Sequence, residues 1–539
     1  MESLAIVTLR DILCGAMSLD DGLSAIQNIS RRRESDVDIS FEIARAIEEI
    51  ILRRPGIASA KLTELSVRLS FKEDRTLPQM LLLLDTRFTT GHRRAESELL
   101  PDVHAIPVLL DILGDLTQSM YTALSLNLRP LLAFLTDETL LTLEAIFERG
   151  HEASTQLAIH ESHYATHMLI REGMFDCADV LLNRLMTFSK EIGMNEAHFD
   201  VSLDEAAVLT ELGLYQNSRD ILHELADIAK REQEGVRLAE VTLQLAINET
   251  RDDSVHHETA RALADTATSL YREAVKIELA SKDELGLAYL LIGSNILANG
   301  WHEGIPEAID RLEESLAVYE GIDNLSGEQN IHLYRCLAAL GFAHGLQSDY
   351  RNMTVALEYL DRARSVLSRI EDAELELAAC ENSIGWLCLG SESNEFWETG
   401  IEAFERAVDT RERLQEKGKI SELALLGTRV GLELSRLRVL DMPEGNDYAP
   451  LRSLLVQYTP LFPTDSRAFT EVAIATYNTV WLTLRHGGSM PERLLRLLDD
   501  IDRMLSDARA IADDMFIHGV ALVVPFMNKS WRALRNRCR

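Results

Sequence analysis

Glycine and proline are scarce in this chain, 28 and 12 of 539 residues. An all-β protein, or an α/β protein of many short elements, needs more turns than these can supply. Long helices joined by short connections are what remains. Cysteine is scarcer still: six residues, at positions 14, 177, 336, 380, 388 and 538, with no CxxC and no paired spacing. That excludes a disulfide framework and fits a reducing, cytoplasmic setting. No apolar run approaches the ~20 residues that span a bilayer, and Glu2, Arg10 and Asp11 interrupt the weakly apolar start, so neither a membrane segment nor a signal peptide is expected.

Enzyme signatures are missing as well. Gly418-Lys419 is followed by Ile420 and lacks the upstream glycine of a phosphate-binding loop, and His163-Tyr164-Ala165-Thr166-His167 lacks the glutamate of a zinc protease. His486-Gly487-Gly488 has no strand-rich frame on which a cysteine and a histidine could be assembled. No catalytic residue, cofactor or metal is assigned, and a non-enzymatic role is expected.

Positive charge is in deficit: 54 Lys and Arg against 87 Asp and Glu give a net of −33. Such a chain repels phosphate backbones, which disfavours nucleic acid and suits basic partners or simple solubility. Residues 1–100 hold 14 basic against 16 acidic side chains, so almost all of the excess lies beyond them. The basic run Arg31-Arg32-Arg33 reads as a solvated turn.

What is present is a repeat. Ile292-Gly293 is followed by Ala308, Leu312 and Ser315-Leu316; Leu340-Gly341 by Ala356, Leu360 and Ala363; Ile384-Gly385 by Gly400, Phe404 and Ala407. The leading glycines are 48 and then 44 residues apart, and each precedes the small residue of the next helix by 15 positions. Two antiparallel helices approach closely only where small residues occupy the crossing, with large apolar side chains filling the gaps beside it. Each pair leaves an apolar face for the next to cover, so the pairs must stack.

Two earlier stretches carry the same order around a glycine turn. They are Gly173-Met174-Phe175 with Ala178, Leu182 and Leu185, and Gly213-Leu214-Tyr215 with Ser218, Leu222 and Leu225. Together these units resemble the tetratricopeptide repeat over about residues 155–410. The last three depart from it by about three extra residues between their helices, and none closes with the family's proline. The resemblance implies an all-α fold, a right-handed superhelical solenoid of antiparallel helix pairs, with a less regular helical N-terminal region.

The expected organisation is a helical module over 1–100, a helical connection over 101–154, the array over 155–420, and degenerate repeats with capping helices over 421–539. Within the module, helices are read at Ile39–Leu52 and Ala60–Leu69, with breaks at Arg54-Pro55-Gly56 and near Pro78. The polar stretch Thr86–Pro101 is read as the connection that closes it. A degenerate pair is expected between Arg237 and Ala280. Near the C-terminus, Ser489-Met490-Pro491-Glu492 reads as a helix start. Val520–Met527, interrupted by Pro525, either seals the array or offers an interface, and the chain closes on Arg532, Arg535, Arg537 and Arg539.

One constellation carries chemistry. At 100° per residue His160, His163, His167 and Arg171 fall within about 80° of arc, one stripe on one helix. If Gly173 is the repeat's turn glycine, the resemblance places the three histidines among positions that line the concave ligand-binding groove. The stripe is then a solvated face, a surface for an anionic peptide or phosphate, or a zinc site through His163 and His167 for which the sequence shows no third ligand. The same alignment adds Arg335, Phe342, Asn382 and Trp386 to the groove, where an aromatic ring and an amide can grip a peptide. The alternative for Phe342 and Trp386 is packing between pairs. The expected function is a scaffold or adaptor holding a protein or peptide partner on its concave face, within a larger complex. The alternative is a regulatory or sensor subunit controlling a separate effector.

Overall fold

The computed structural model describes residues 2–30, 37–70, 76–126, 128–150, 152–171, 173–252, 257–298, 304–346, 352–370, 373–391, 394–416 and 422–439. Arg31-Arg32-Arg33, Gly418-Lys419, His486-Gly487-Gly488, Ser489–Glu492, Val520–Met527 and the C-terminal arginines lie outside them. Among the described residues the structure is helical throughout, with no strand. Consecutive helices pack as pairs and the pairs stack, a solenoid. Contacts divide the chain into two compact units, the division along the chain falling between Val208 and Leu209.

The first unit contains α1 (Glu2–Leu13), α2 (Leu19–Ser30), α3 (Val37–Ile51), α4 (Pro55–Leu69), α5 (Thr76–Ser97), α6 (Asp102–Ser125), α7 (Arg129–Arg149), α8 (Glu152–Arg171), α9 (Phe175–Glu191) and α10 (Asn195–Glu211) as far as Val208. Prolines stand where a helix tolerates them: Pro55 opens α4 and Pro130 lies in the first turn of α7, where the missing N–H would have no partner anyway. Pro107 sits inside α6, which continues past it to Ser125.

The segment Thr86–Ser97, expected as a polar connection, is instead the second half of α5. Its threonines are polar in name but return their hydroxyls to the helix. Thr86 Oγ1 donates to the Leu82 carbonyl at 3.1 Å and Thr89 Oγ1 to that of Asp85 at 2.8 Å, so both hydroxyl protons are used inside the helix, and Thr86 Oγ1 also lies 2.9 Å from Ser119 Oγ of α6. Arg93 and Arg94 pair with Asp115 and Glu138 of α6 and α7 at 2.6 and 2.5 Å. A helix whose polar residues are locally satisfied gives no hydrophobic-period signal, though it packs as well as one that does.

Turns in the α8–α10 region follow one design. Gly173 and Gly193 take left-handed backbone, φ +70° and +72°, which a side chain would strain. Gly173 N–H donates to the Ile170 carbonyl at 3.0 Å and Met174 N–H to that of Leu169 at 2.8 Å, and Gly193 and Met194 repeat the arrangement onto Lys190 and Ser189. These two bonds satisfy carbonyls that the helix end leaves open.

The second unit contains α11 (Tyr215–Glu232), α12 (Gly235–Arg251), α13 (His257–Lys276), α14 (Lys282–Ala298), α15 (Ile305–Glu320), α16 (Gly327–Leu346), α17 (Met353–Leu367), α18 (Glu374–Gly390), α19 (Trp397–Glu416) and α20 (Glu422–Val439). Here α12 and α13 form the pair expected between Arg237 and Ala280, and α14/α15, α16/α17 and α18/α19 are the three glycine-led pairs. The first helices α12, α14, α16, α18 and α20 also touch one another in succession, so they make one layer of the stack.

The crossings are as the repeat requires. A β-carbon on Gly293 would stand 2.7 Å from Leu312 Cγ, one on Gly341 2.7 Å from Leu360 Cγ, and one on Gly385 2.7 Å from the Phe404 ring. All three large side chains are fully buried, each contributing ~1.5–3 kcal/mol by leaving water. One apolar core runs through the pairs from Ala239 to Ala403.

Candidate functional site

The first unit gathers its chemistry where α8 faces α10. Along α8, Ala158, Ile159, Ser162, Ala165, Thr166 and Leu169 are buried, which turns Leu157, His160, Tyr164 and His167 to the surface. His163 stands at the edge between the two faces. The side chain of Arg171, the fourth member of the expected stripe, lies outside the described residues.

The sequence pattern shows no partner for the histidines; the structure supplies one in Asp204 of α10. Its Oδ2 is 2.8 Å from His163 Nε2 and 3.5 Å from His167 Nε2. The two imidazoles lie 4.5 Å apart between ring centres, tilted by 39°. All three donor atoms fall within 4.8 Å of one another. His163 and Asp204 are largely covered, whereas His167 keeps 54% of its side chain exposed. His160 lies outside this triad, and the expected stripe therefore resolves into a convergent His163–His167–Asp204 set and a free-standing surface residue.

Directly after Asp204, Glu205 points inward and is almost wholly buried. Burial and the neighbouring Asp179 carboxylate push its carboxyl up to about 8, against an opposing hydrogen bond involving Asn183. Two adjacent carboxylates on one helix thus do opposite things: Asp204 faces the imidazoles, and Glu205 is held protonated at neutral pH.

In the second unit Arg335 is exposed on α16, and Phe342 on the same helix packs half-buried against the apolar core. On α18, Trp386 meets Phe404 edge to face at 5.5 Å between ring centres. Asn382 is half-buried, and its Oδ1 receives no hydrogen bond among the described residues. Of these expected groove residues, the two aromatic ones are half-buried and touch neighbouring apolar side chains, Phe342 those of the core and Trp386 the Phe404 ring.

A second polar cluster escaped the sequence reading. Asn248 of α12, fully buried, donates from Nδ2 to Thr210 Oγ1 at 3.0 Å and to the Tyr215 carbonyl at 3.2 Å. Beside it Arg219 is bonded to Glu249 and Asp252 at 2.5 and 2.9 Å, and Arg251 to Glu211 and Asn295 at 2.5 and 2.8 Å. These bonds tie the end of α10 to α11, α12 and α14, while Asn248 Oδ1 receives no hydrogen bond among the described residues. The thiols of Cys336, Cys380 and Cys388 are pushed up to about 12 by burial and stay protonated.

No protein-family model matches the chain, and no curated protein does. Among the solved structures similar to it are two that share 14% identity with it. A crystal structure of a Rap protein complexed with competence and sporulation factor matches over 70% of this chain and 99% of its own, with a TM-score of 0.33. A circular tandem repeat protein with novel repeat topology matches over 100% of this chain and 98% of its own, with a TM-score of 0.18. Among the described residues no helix is long and apolar enough to cross a membrane.

Proposed function

We propose that this chain is a non-catalytic scaffold of tetratricopeptide-like pairs, which holds a protein or peptide partner on the face formed by the first helices of its pairs. The observation that carries the reading is the exposed stripe on α8. Tyr164 and Leu157 keep 60% and 56% of their surface in water, one turn from the exposed His160 and His167. Large apolar side chains left open beside hydrogen-bonding groups have the make-up of a contact surface rather than of a solvated helix face. A stack of helix pairs supplies such a surface over a long span without a deep pocket. The acidity of the chain beyond residue 100 suits a partner with basic segments.

The test is a capture from the native cell extract with wild type and with a Leu157→Ser/His160→Ala/Tyr164→Ala variant. The variant is first checked for unchanged helicity and unfolding midpoint. The captured protein is then purified and titrated directly against both. Loss of at least about tenfold in affinity, the ~1.4 kcal/mol expected from removing one good anchor, supports the reading. Equal binding by both overturns this face as the working surface.

A further inference from the structure

We propose that His163, His167 and Asp204 form a binding site for a divalent transition-metal cation of the zinc class, fastening α8 to α10. Three donors converge here: two imidazole Nε2 atoms separated by one helical turn, and one carboxylate oxygen brought from the first helix of the next pair. An ion pair needs only one imidazole on the carboxylate. The second is set on the same oxygen, at 3.5 Å, with its ring turned toward the first.

The dimensions suit a small cation. With bonds of ~2.0–2.1 Å, neighbouring ligands of a tetrahedral zinc stand ~3.3 Å apart. The two separations from Asp204 Oδ2, 2.8 and 3.5 Å, bracket that value, and all three donor atoms lie within 4.8 Å of one another, so entry of an ion requires the imidazoles to rotate and draw together, within the freedom of side chains that are not fully enclosed. The donor types select the class of metal. Two imidazoles with one carboxylate favour zinc, cobalt, nickel or copper, whereas calcium and magnesium take oxygen ligands almost alone. Charge agrees: a dication on Asp204 leaves a single positive charge in a chain of net −33. The exposed side of His167 leaves a fourth position open to water or to a donor from a bound partner.

The site makes no use of the exposed Leu157, His160 and Tyr164 surface, so the two readings fail separately. The experiment titrates zinc into the chelator-stripped full chain, against a chromophoric zinc chelator. It is repeated with Asp204→Asn, His167→Gln and, as a control, His160→Ala. Cobalt binding is followed in parallel by its visible absorption. The expected result is one tight equivalent, bands of tetrahedral cobalt, and a loss of affinity of more than about 100-fold in Asp204→Asn and His167→Gln, since even outer-shell partners of zinc ligands are worth 10–100-fold. His160→Ala should bind like wild type. His167 is half exposed, so its variant is expected to fold even if Asp204→Asn does not, and circular dichroism checks both. Absence of a tight equivalent, or a tight equivalent unchanged in both ligand variants, overturns the proposal.

Discussion

Leu312 lies over Gly293 so closely that a β-carbon on the glycine would stand 2.7 Å from its Cγ and 3.1 Å from the Ala308 carbonyl oxygen. The second contact is with backbone, which cannot turn aside as a side-chain tip can. Gly293→Val is therefore expected to lower the urea midpoint, with overpacking of ~1–3 kcal/mol. Gly114, inside α6, is the control: a β-carbon there meets nothing within 4 Å. Gly114→Ala is expected to raise stability by ~0.5–1 kcal/mol, because alanine gives up less backbone freedom. Equal shifts in the two variants would show that the crossing at Gly293 is not close.

The same glycines explain what could be read from the sequence. Gly293, Gly341 and Gly385 were legible because a close crossing admits only small residues and leaves a repeating mark. Gly173 was legible because left-handed backbone at a helix end favours glycine. The second half of α5 was not, since Thr86 and Thr89 hide their polarity in bonds to their own helix. Asp204 was not, because it lies 41 residues from His163 and only the stacking of α8 and α10 brings them together. Nor was the buried role of Glu205, since nothing local separates an inward carboxylate from the outward one beside it.

Glu205 yields a pH prediction. Its carboxyl is raised from its ordinary 4.5 to about 8, so the folded chain binds a proton that the unfolded chain releases at lower pH. Its contribution to stability is fully present below 4.5, fades as pH rises toward about 8, and is absent above that. In a chelating buffer the wild type should lose on the order of 2 kcal/mol from this group between about pH 6 and pH 9. Glu205→Gln cannot ionise and should flatten that part of the profile, as read from urea midpoints across the range. Parallel slopes in wild type and variant would place the titration elsewhere.

Asn248 supports two otherwise buried partners, Thr210 Oγ1 and the Tyr215 carbonyl. Truncation removes both bonds at a position closed to solvent. Asn248→Ala is expected to destabilise the second unit by ~1–3 kcal/mol. Hydrogen exchange should show the loss in α11 and α12, with the first unit's helices α4 to α8 keeping their protection. Protection lost uniformly along the chain would mean that the cluster serves more than its own junction.

Trp386 separates packing from recognition. A groove residue can be removed with little effect on folding, whereas a ring set edge to face on Phe404 at 5.5 Å cannot. Such a contact is worth ~0.5–1.5 kcal/mol beyond the area it covers, and the covered part of the indole adds to it. Phe404 is fully buried and itself fills the crossings at Gly385 and Gly431, so truncating Trp386 exposes a side chain on which three helices depend. Trp386→Ala should accordingly lower the unfolding midpoint by an amount equivalent to ~1–3 kcal/mol. At temperatures where it stays folded, it should bind the captured partner as wild type does. The opposite result, unchanged stability with lost binding, would return Trp386 to the partner surface and extend that surface into the second unit.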